Sequence, residues 1–200
     1  MLTTATAALL ALSALVPTQD VPDAPPLRVE VASINGSGCP AGTAEVTTTD
    51  RTFSVSYQAF YAQAGGGANP VEFRRNCQLS LRVSLPDDYT YGLARTSYDG
   101  FAHIQDGATA LNRVSFYFQG GPTTTAINRS FPGPFTDEWR TAYRPDPADV
   151  VYSPCGGTRN LNINAELRID IGTADREKPN FVLTEASRGG LRAEFTTKHC

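Results

Sequence analysis

The chain is poor in the residues on which most catalysis and metal binding depend: its 200 residues include 2 histidines, 1 tryptophan and 1 methionine. His103 stands between apolar Ala102 and Ile104, which turns it outward, and His199 sits beside the terminal Cys200. Two histidines joined by a carboxylate could ligate one metal, but nothing in their spacing points to such a site. The D-x-D-x-D-G pattern of a calcium loop is missing as well. No basic run exceeds Arg74-Arg75, whereas a nucleic-acid surface needs enough Lys and Arg to neutralise several phosphates. No apolar run is long enough to anchor the chain in a membrane. The glycine-rich stretch INGSGCPAG lacks a nucleotide fingerprint, because Gly42 comes one position late and a Thr-rich strand follows instead of a helix. Its Gly36-Ser37-Gly38 also fails as a nucleophile elbow. The stretch reads as a turn whose cysteine ties one strand to its neighbour. No cofactor, metal, nucleic-acid partner or catalytic residue is therefore expected.

Long helical periodicity is also absent, and strand periodicity takes its place. In NLNINAELRIDIG, Leu161, Ile163, Ala165, Leu167, Ile169 and Ile171 alternate without error with polar residues, the mark of a strand with one buried face and one wet face. CQLSLRVSL repeats the pattern with Cys77, Leu79, Leu81, Val83 and Leu85, and TFSVSYQAFY with Phe53, Val55, Tyr57, Ala59 and Tyr61. RVSFYFQ does so with Val114, Phe116 and Phe118, and LRAEF with Leu191, Ala193 and Phe195. Val29, Val31 and the segment Tyr89 to Ile104 supply edges and turns. Gly65 to Gly67, Pro86-Asp87-Asp88 and Gly120-Gly121-Pro122 break the strands. One-sided strands without helical crossovers must cover each other as antiparallel sheets. The fold expected is an all-β, antiparallel β-sandwich or jelly roll of about eight to ten strands. The segment Gly120 to Pro154, rich in Pro, Thr and aromatics, reads as a long excursion over the surface.

The start of the chain points outside the cell. Ala7 to Val16 is an apolar run of signal-peptide length, too short to span a bilayer. Residues 1–18 are read as a signal peptide, 19–27 as a Pro-rich linker and 28–200 as one domain. Cys39, Cys77, Cys155 and Cys200 stand far apart with no CxxC, which suits two disulfides in a secreted protein. Of three possible pairings, Cys39 with Cys77 and Cys155 with Cys200 is favoured, since each bridge closes one half of the chain. The sequons Asn35-Gly36-Ser37 and Asn128-Arg129-Ser130 lie in turn-like surroundings and would accept N-glycans in a eukaryotic host.

Three groups remain as candidates for function. The excursion holds Phe131, Phe135, Trp139, Tyr143 and Tyr152 among prolines; exposed, Trp139, Phe135 and Tyr143 would stack on sugars or anchor a partner, and turned inward they would close one end of the sandwich. Asn160, Asn162 and Asn164 form a row of amides on a wet face. The acidic pairs Asp87-Asp88 and Asp137-Glu138, with Asp146 and Asp149 close behind, serve glycoside hydrolysis only if two carboxyl groups face each other across a cleft.

The segments GSGCPAGT, RRNCQLSLRVSLP, SYDGFAHIQDG and SFYFQGG, with a cysteine at the C-terminus, resemble a family of uncharacterised secreted proteins, domain of unknown function forty-three-sixty, frequent in filamentous fungi and found in bacteria. The resemblance is most specific over Gly36 to Pro40, Asn76 to Gln78 and Phe118 to Gly120. It implies a secreted, disulfide-bearing, β-rich protein and supplies no catalytic residues. The first functional expectation is a non-catalytic extracellular module that binds cell-wall polysaccharide or an extracellular protein. The alternatives are a secreted hydrolase using carboxylates such as Asp137 and Glu138, and a small secreted effector or protease inhibitor.

Overall fold

The computed structural model describes residues 25–184 and 190–200, so the expected signal peptide and most of the linker lie outside the described residues. Among those residues twelve strands follow one another, more than the alternation pattern alone predicts. They are β1 (Arg28–Asn35), β2 (Ala44–Thr48), β3 (Thr52–Tyr57), β4 (Tyr61–Ala64), β5 (Arg74–Ser84) and β6 (Tyr89–Ile104). The second half adds β7 (Thr109–Phe118), β8 (Thr124–Pro132), β9 (Phe135–Tyr143), β10 (Asn160–Asp170), β11 (Asn180–Thr184) and β12 (Leu191–His199). Single turns of 3-10 helix occur at Pro70–Phe73 and Pro147–Asp149.

Every pairing is antiparallel, and the strands form two sheets. The five-stranded sheet runs β1-β5-β10-β7-β8, and the seven-stranded sheet runs β2-β3-β12-β6-β11-β4 with β9 also on β6. Their inner faces supply the core expected from the alternation. Leu79, Leu81 and Val83 of β5, Val114, Phe116 and Phe118 of β7, and Leu161 to Ile169 at odd positions of β10 are buried. Opposite them lie Phe53, Val55 and Tyr57 of β3 and Leu191, Ala193 and Phe195 of β12. Each fully buried Leu, Ile, Val or Phe side chain contributes about 1.5–3 kcal/mol.

Three segments depart from the sequence reading. TFSVSYQAFY is two strands, not one: the chain turns at Gln58–Phe60, Phe60 drops into the core, and Tyr61 opens β4 on the outer side. Tyr89 to Ile104 is the centre of its sheet and not an edge. Residues 89–98 pair with β12, residues 100–103 continue along the same edge with β11, and residues 96–104 pair with β9 on the other edge. A bulge at Ala94, where Glu194 faces Arg95 and Phe195 faces Leu93, hides this strand from a period-two search. Tyr91 and Leu93 point inward before it, and Thr96, Tyr98, Ala102 and Ile104 after it, as an extra residue on one strand requires.

The third departure is Gly120 to Pro154. It is no surface excursion, because it contains β8, paired with β7, and β9, paired with β6. The two strands belong to different sheets and close one flank of the sandwich. Phe131 lies 5.5 Å from Phe135 and 5.3 Å from Trp139 between ring centroids, so the aromatics turn inward there.

Both favoured disulfides are present, with Cα atoms 5.4 Å apart for Cys39–Cys77 and 5.9 Å for Cys155–Cys200. The first locks the INGSGCPAG turn to β5. The Gly38 N–H donates to the Asn76 carbonyl at 2.8 Å, the Asn76 N–H donates to Ser37 Oγ at 3.1 Å, and the Ser37 hydroxyl donates to Asn76 Oδ1. Gly36 has φ +140, and a Cβ there would stand 2.2 Å from the Asn76 oxygen, which leaves glycine as the residue that fits.

Candidate functional site

The outer face of the seven-stranded sheet is organised by β6. Beyond its bulge Arg95, Ser97, Asp99, Phe101 and His103 point outward. β11 sets Leu183 opposite Phe101 and Phe181 opposite His103, while β9 sets Glu138 and Thr136 against the same two residues. β4 then places Tyr61 beside Leu183 and Gln63 beside Phe181. Three strands, β6, β11 and β4, thus bring four rings and a leucine into one band on the surface, with β9 flanking it. Ring centroids of Phe101 and Phe181 are 6.1 Å apart with planes at 30°, and those of His103 and Phe181 are 5.7 Å apart at 31°. Phe101, His103, Phe181 and Leu183 are half-buried, and Tyr61 is 37% exposed.

The band is held by polar neighbours. His103 Nδ1 and Thr136 Oγ1 share a hydrogen bond of 2.8 Å. Gln63 donates to Glu72 at 2.6 Å, and Arg75 donates to the other oxygen of Glu72 at 3.0 Å. These contacts fix the 3-10 turn of Pro70–Phe73, which presents Val71 and Phe73 at 66% and 45% exposure. Three of the four large apolar side chains most exposed among the described residues, Tyr61, Val71 and Phe73, therefore cluster at this edge.

Further along β6, Asp99 accepts from Arg140 Nε at 2.5 Å. Beyond that pair lies a depression of about 380 Å³ lined by Arg95, Arg140, Arg192, Ser97, Thr52 and Glu194, among others. The face as a whole can bind by stacking and by charge. Among the described residues no three His, Cys, Asp or Glu side chains gather as metal ligands.

The sequence-predicted residues fall as follows. Trp139 is buried, at 3% exposure, on the inner face of β9 opposite Gly100; Phe135 and Tyr143 are half-buried and point the same way. Trp139 has no open face for a ligand; of the two orientations the sequence allows for this trio, Trp139 takes the inward one, because β9 alternates and puts Glu138 and Arg140 outside. Asp137 and Glu138 point to opposite sides of β9, and Asp137 Oδ1 accepts the N–H of Glu138 at 2.7 Å, so they do not face each other across a cleft. Asp87 and Asp88 lie exposed between β5 and β6. The two histidines stand at opposite ends of β6, His199 pairing with Tyr89; fourteen residues of strand separate Tyr89 from His103, on the order of 45 Å. The Asn160, Asn162 and Asn164 row does line the wet face of β10, on the five-stranded sheet. Asn35 and Asn128 are exposed on that same outer face, at its two edge strands β1 and β8.

The turn at Gly36–Pro40 and the Asn76–Gln78 stretch, far apart in sequence, meet at the Cys39–Cys77 bridge. Residues 25–200 match the family described as Domain of unknown function (DUF4360). The chain belongs to this family. An "Uncharacterized secreted protein" of Arthroderma benhamiae is 28% identical over 170 residues, which are 84% of this chain and 68% of that protein. With two disulfides, which persist in oxidising compartments, this DUF4360 protein is extracellular. Two solved structures superpose weakly. The carbohydrate-binding module TmCBM61 in complex with β-1,4-galactotriose has a TM-score of 0.31 and 12% identity, over 88% of this chain and 89% of that one. The enzymatically active domain of tailspike protein 4 of bacteriophage CBA120 has a TM-score of 0.30 and 11% identity, over 86% of this chain and 19% of that one. At those TM-scores neither superposition bears on function.

Proposed function

We propose that this DUF4360 protein is an extracellular, non-catalytic module that binds polysaccharide on the outer face of its seven-stranded sheet. The observation that carries the reading is the band of Phe101, Phe181 and His103, with rings at 30° and 31° to one another and Tyr61 at its end. Sugar rings have apolar faces and polar edges. A row of surface aromatics rimmed by Gln63, Thr136 and Glu138 offers stacking to the first and hydrogen bonds to the second. The strands hold the rings before any ligand arrives, which keeps the entropy cost of binding low. The sequon asparagines are on the opposite sheet, so glycans on Asn35 and Asn128 would leave this band open.

Retention of the secreted protein on chitin, β-glucan, cellulose and galactan tests the reading. Wild type is expected to be held by at least one polymer. Phe101→Ala and Phe181→Ala should each weaken that retention about tenfold or more, the loss typical of truncating an anchoring aromatic. Trp139→Phe should leave it unchanged, since that side chain faces the core. A wild-type protein that passes through every polymer would overturn the proposal.

A further inference from the structure

On the reading that the aromatic band binds sugar, we infer that the natural ligand is an acidic polysaccharide whose carboxylates are received by Arg95, Arg140 and Arg192. The band and the arginine-lined depression lie along one strand. Arg95, Ser97 and Asp99 continue the outward row of β6 that ends in Phe101 and His103. Arg192 of β12 stands opposite Ser97, and Arg140 of β9 stands opposite Asp99. Three guanidinium groups from three adjacent strands thus reach the same depression of about 380 Å³. From Arg95 to Phe101 is six residues of strand, roughly 20 Å, a length that a polymer of several sugar units spans and a single sugar does not.

Charge explains why the two halves of the strip are different. The chain carries a formal net charge of -3, so general attraction does not bring a polyanion to it, and any affinity must be local. The depression gathers three arginines against Glu194, with Asp99 fastened to Arg140 Nε at its border. With Asp99 held at Nε, the Arg140 side chain still lines the depression and is 67% exposed. Arginine suits carboxylates because its planar fork matches the two oxygens. Thr52 and Ser97 on the same floor supply hydroxyls for the sugar. A protein partner would be served as well by lysines scattered over a rough surface; the row of rings continuing from the arginines favours a polymer of repeating sugar rings that carry acid groups.

Polygalacturonate and its methyl ester share one backbone and differ in charge, which makes them the probes. Isothermal titration of the intact secreted protein should give at least tenfold tighter binding to the acid form. That difference should shrink as salt is raised, since exposed charges more than about 10 Å apart are screened at 0.1 M. Arg95→Gln and Arg192→Gln should each weaken binding to the acid form about 3–10-fold and leave the ester unaffected, while Phe101→Ala should weaken both. Circular dichroism of each variant establishes that it is folded. Equal affinity for acid and ester, or indifference to both arginine substitutions, would overturn the inference and leave the sugar-binding proposal standing. So would preference for a sulfated polymer over the carboxylated one. Absence of binding to every polymer would remove both.

Discussion

A methyl group added at Gly100 would stand 2.1 Å from the Leu183 carbonyl oxygen and 2.4 Å from the Trp139 ring. The residue is glycine because β6 must lie against β11 on one edge while the indole of β9 crosses its inner surface. Gly100→Ala is expected to cost about 1–3 kcal/mol by overpacking and, because β11 carries Phe181 and Leu183, to loosen the band as well; urea unfolding measures the first and polymer retention the second. Trp139 fills the space beside it, and its indole N–H is buried with no protein acceptor. Trp139→Ala should therefore cost about 3–5 kcal/mol. Trp139→Phe should cost far less, since it removes an unpaired donor and keeps most of the ring. Tyrosines provide the pH signal. Burial pushes the Tyr57, Tyr91 and Tyr98 hydroxyls up from the ordinary value, and for Tyr98 the neighbouring Tyr57 adds to this. With the folded value above the unfolded one, their contribution is complete below about pH 10 and is lost as pH rises further, at up to about 1.4 kcal/mol per unit for each group. Stability should be flat with respect to these groups through neutral pH and fall on the alkaline side. Tyrosinate absorbance of these three should appear together with unfolding.

At the scale of elements the two disulfides bind different parts of the sandwich. Cys39–Cys77 closes a separation of 38 residues and holds the first turn to β5; Cys155–Cys200 closes 45 and fastens the end of β12 to the loop before β10. In the chain-entropy account each stabilises by about 4 kcal/mol. Replacing Cys39 and Cys77 together by alanine should lower the urea midpoint accordingly, and reductant should then affect only the second bridge. The bulge in β6 has a different role. By adding Ala94 it reverses the phase of the strand, so that Tyr91 and Leu93 pack inside while Arg95, Phe101 and His103 are delivered outside. Deleting Ala94 would turn every later side chain of β6 over, a change the core cannot accept.

The whole molecule has two unlike outer faces. On the five-stranded sheet stand the amides of Asn162 and Asn164 and, at opposite edges, both sequon asparagines. Four strand spacings separate those edges, roughly 19 Å. The seven-stranded sheet carries the rings and the arginines. Expressed in a eukaryotic secretory host, the protein is expected to gain two glycans, seen as two steps of mobility on stepwise deglycosylation and lost one at a time in Asn35→Gln and Asn128→Gln. Retention on polymer should be the same with and without them, because they occupy the face turned away from the band.

The strands at 77–83, 114–118, 160–171 and 191–195 could be read directly, since one side buried against another sheet and one side wet dictates period two. Sequence also pointed to the compartment and to two bridges, through an even set of widely spaced cysteines; which of the three pairings forms was decided only by the tertiary structure, which brings Cys39 to Cys77 and Cys155 to Cys200. The band was not readable. Phe101 and His103 belong to a strand whose bulge breaks its pattern, and Phe181 and Leu183 to a strand of five residues, too short to show a period. Trp139, set among prolines and threonines, left both orientations open in the sequence, and strand alternation sends it inward. Which side chains share a surface depends on register between strands some eighty residues apart, and register is settled only when both sheets close over a common core.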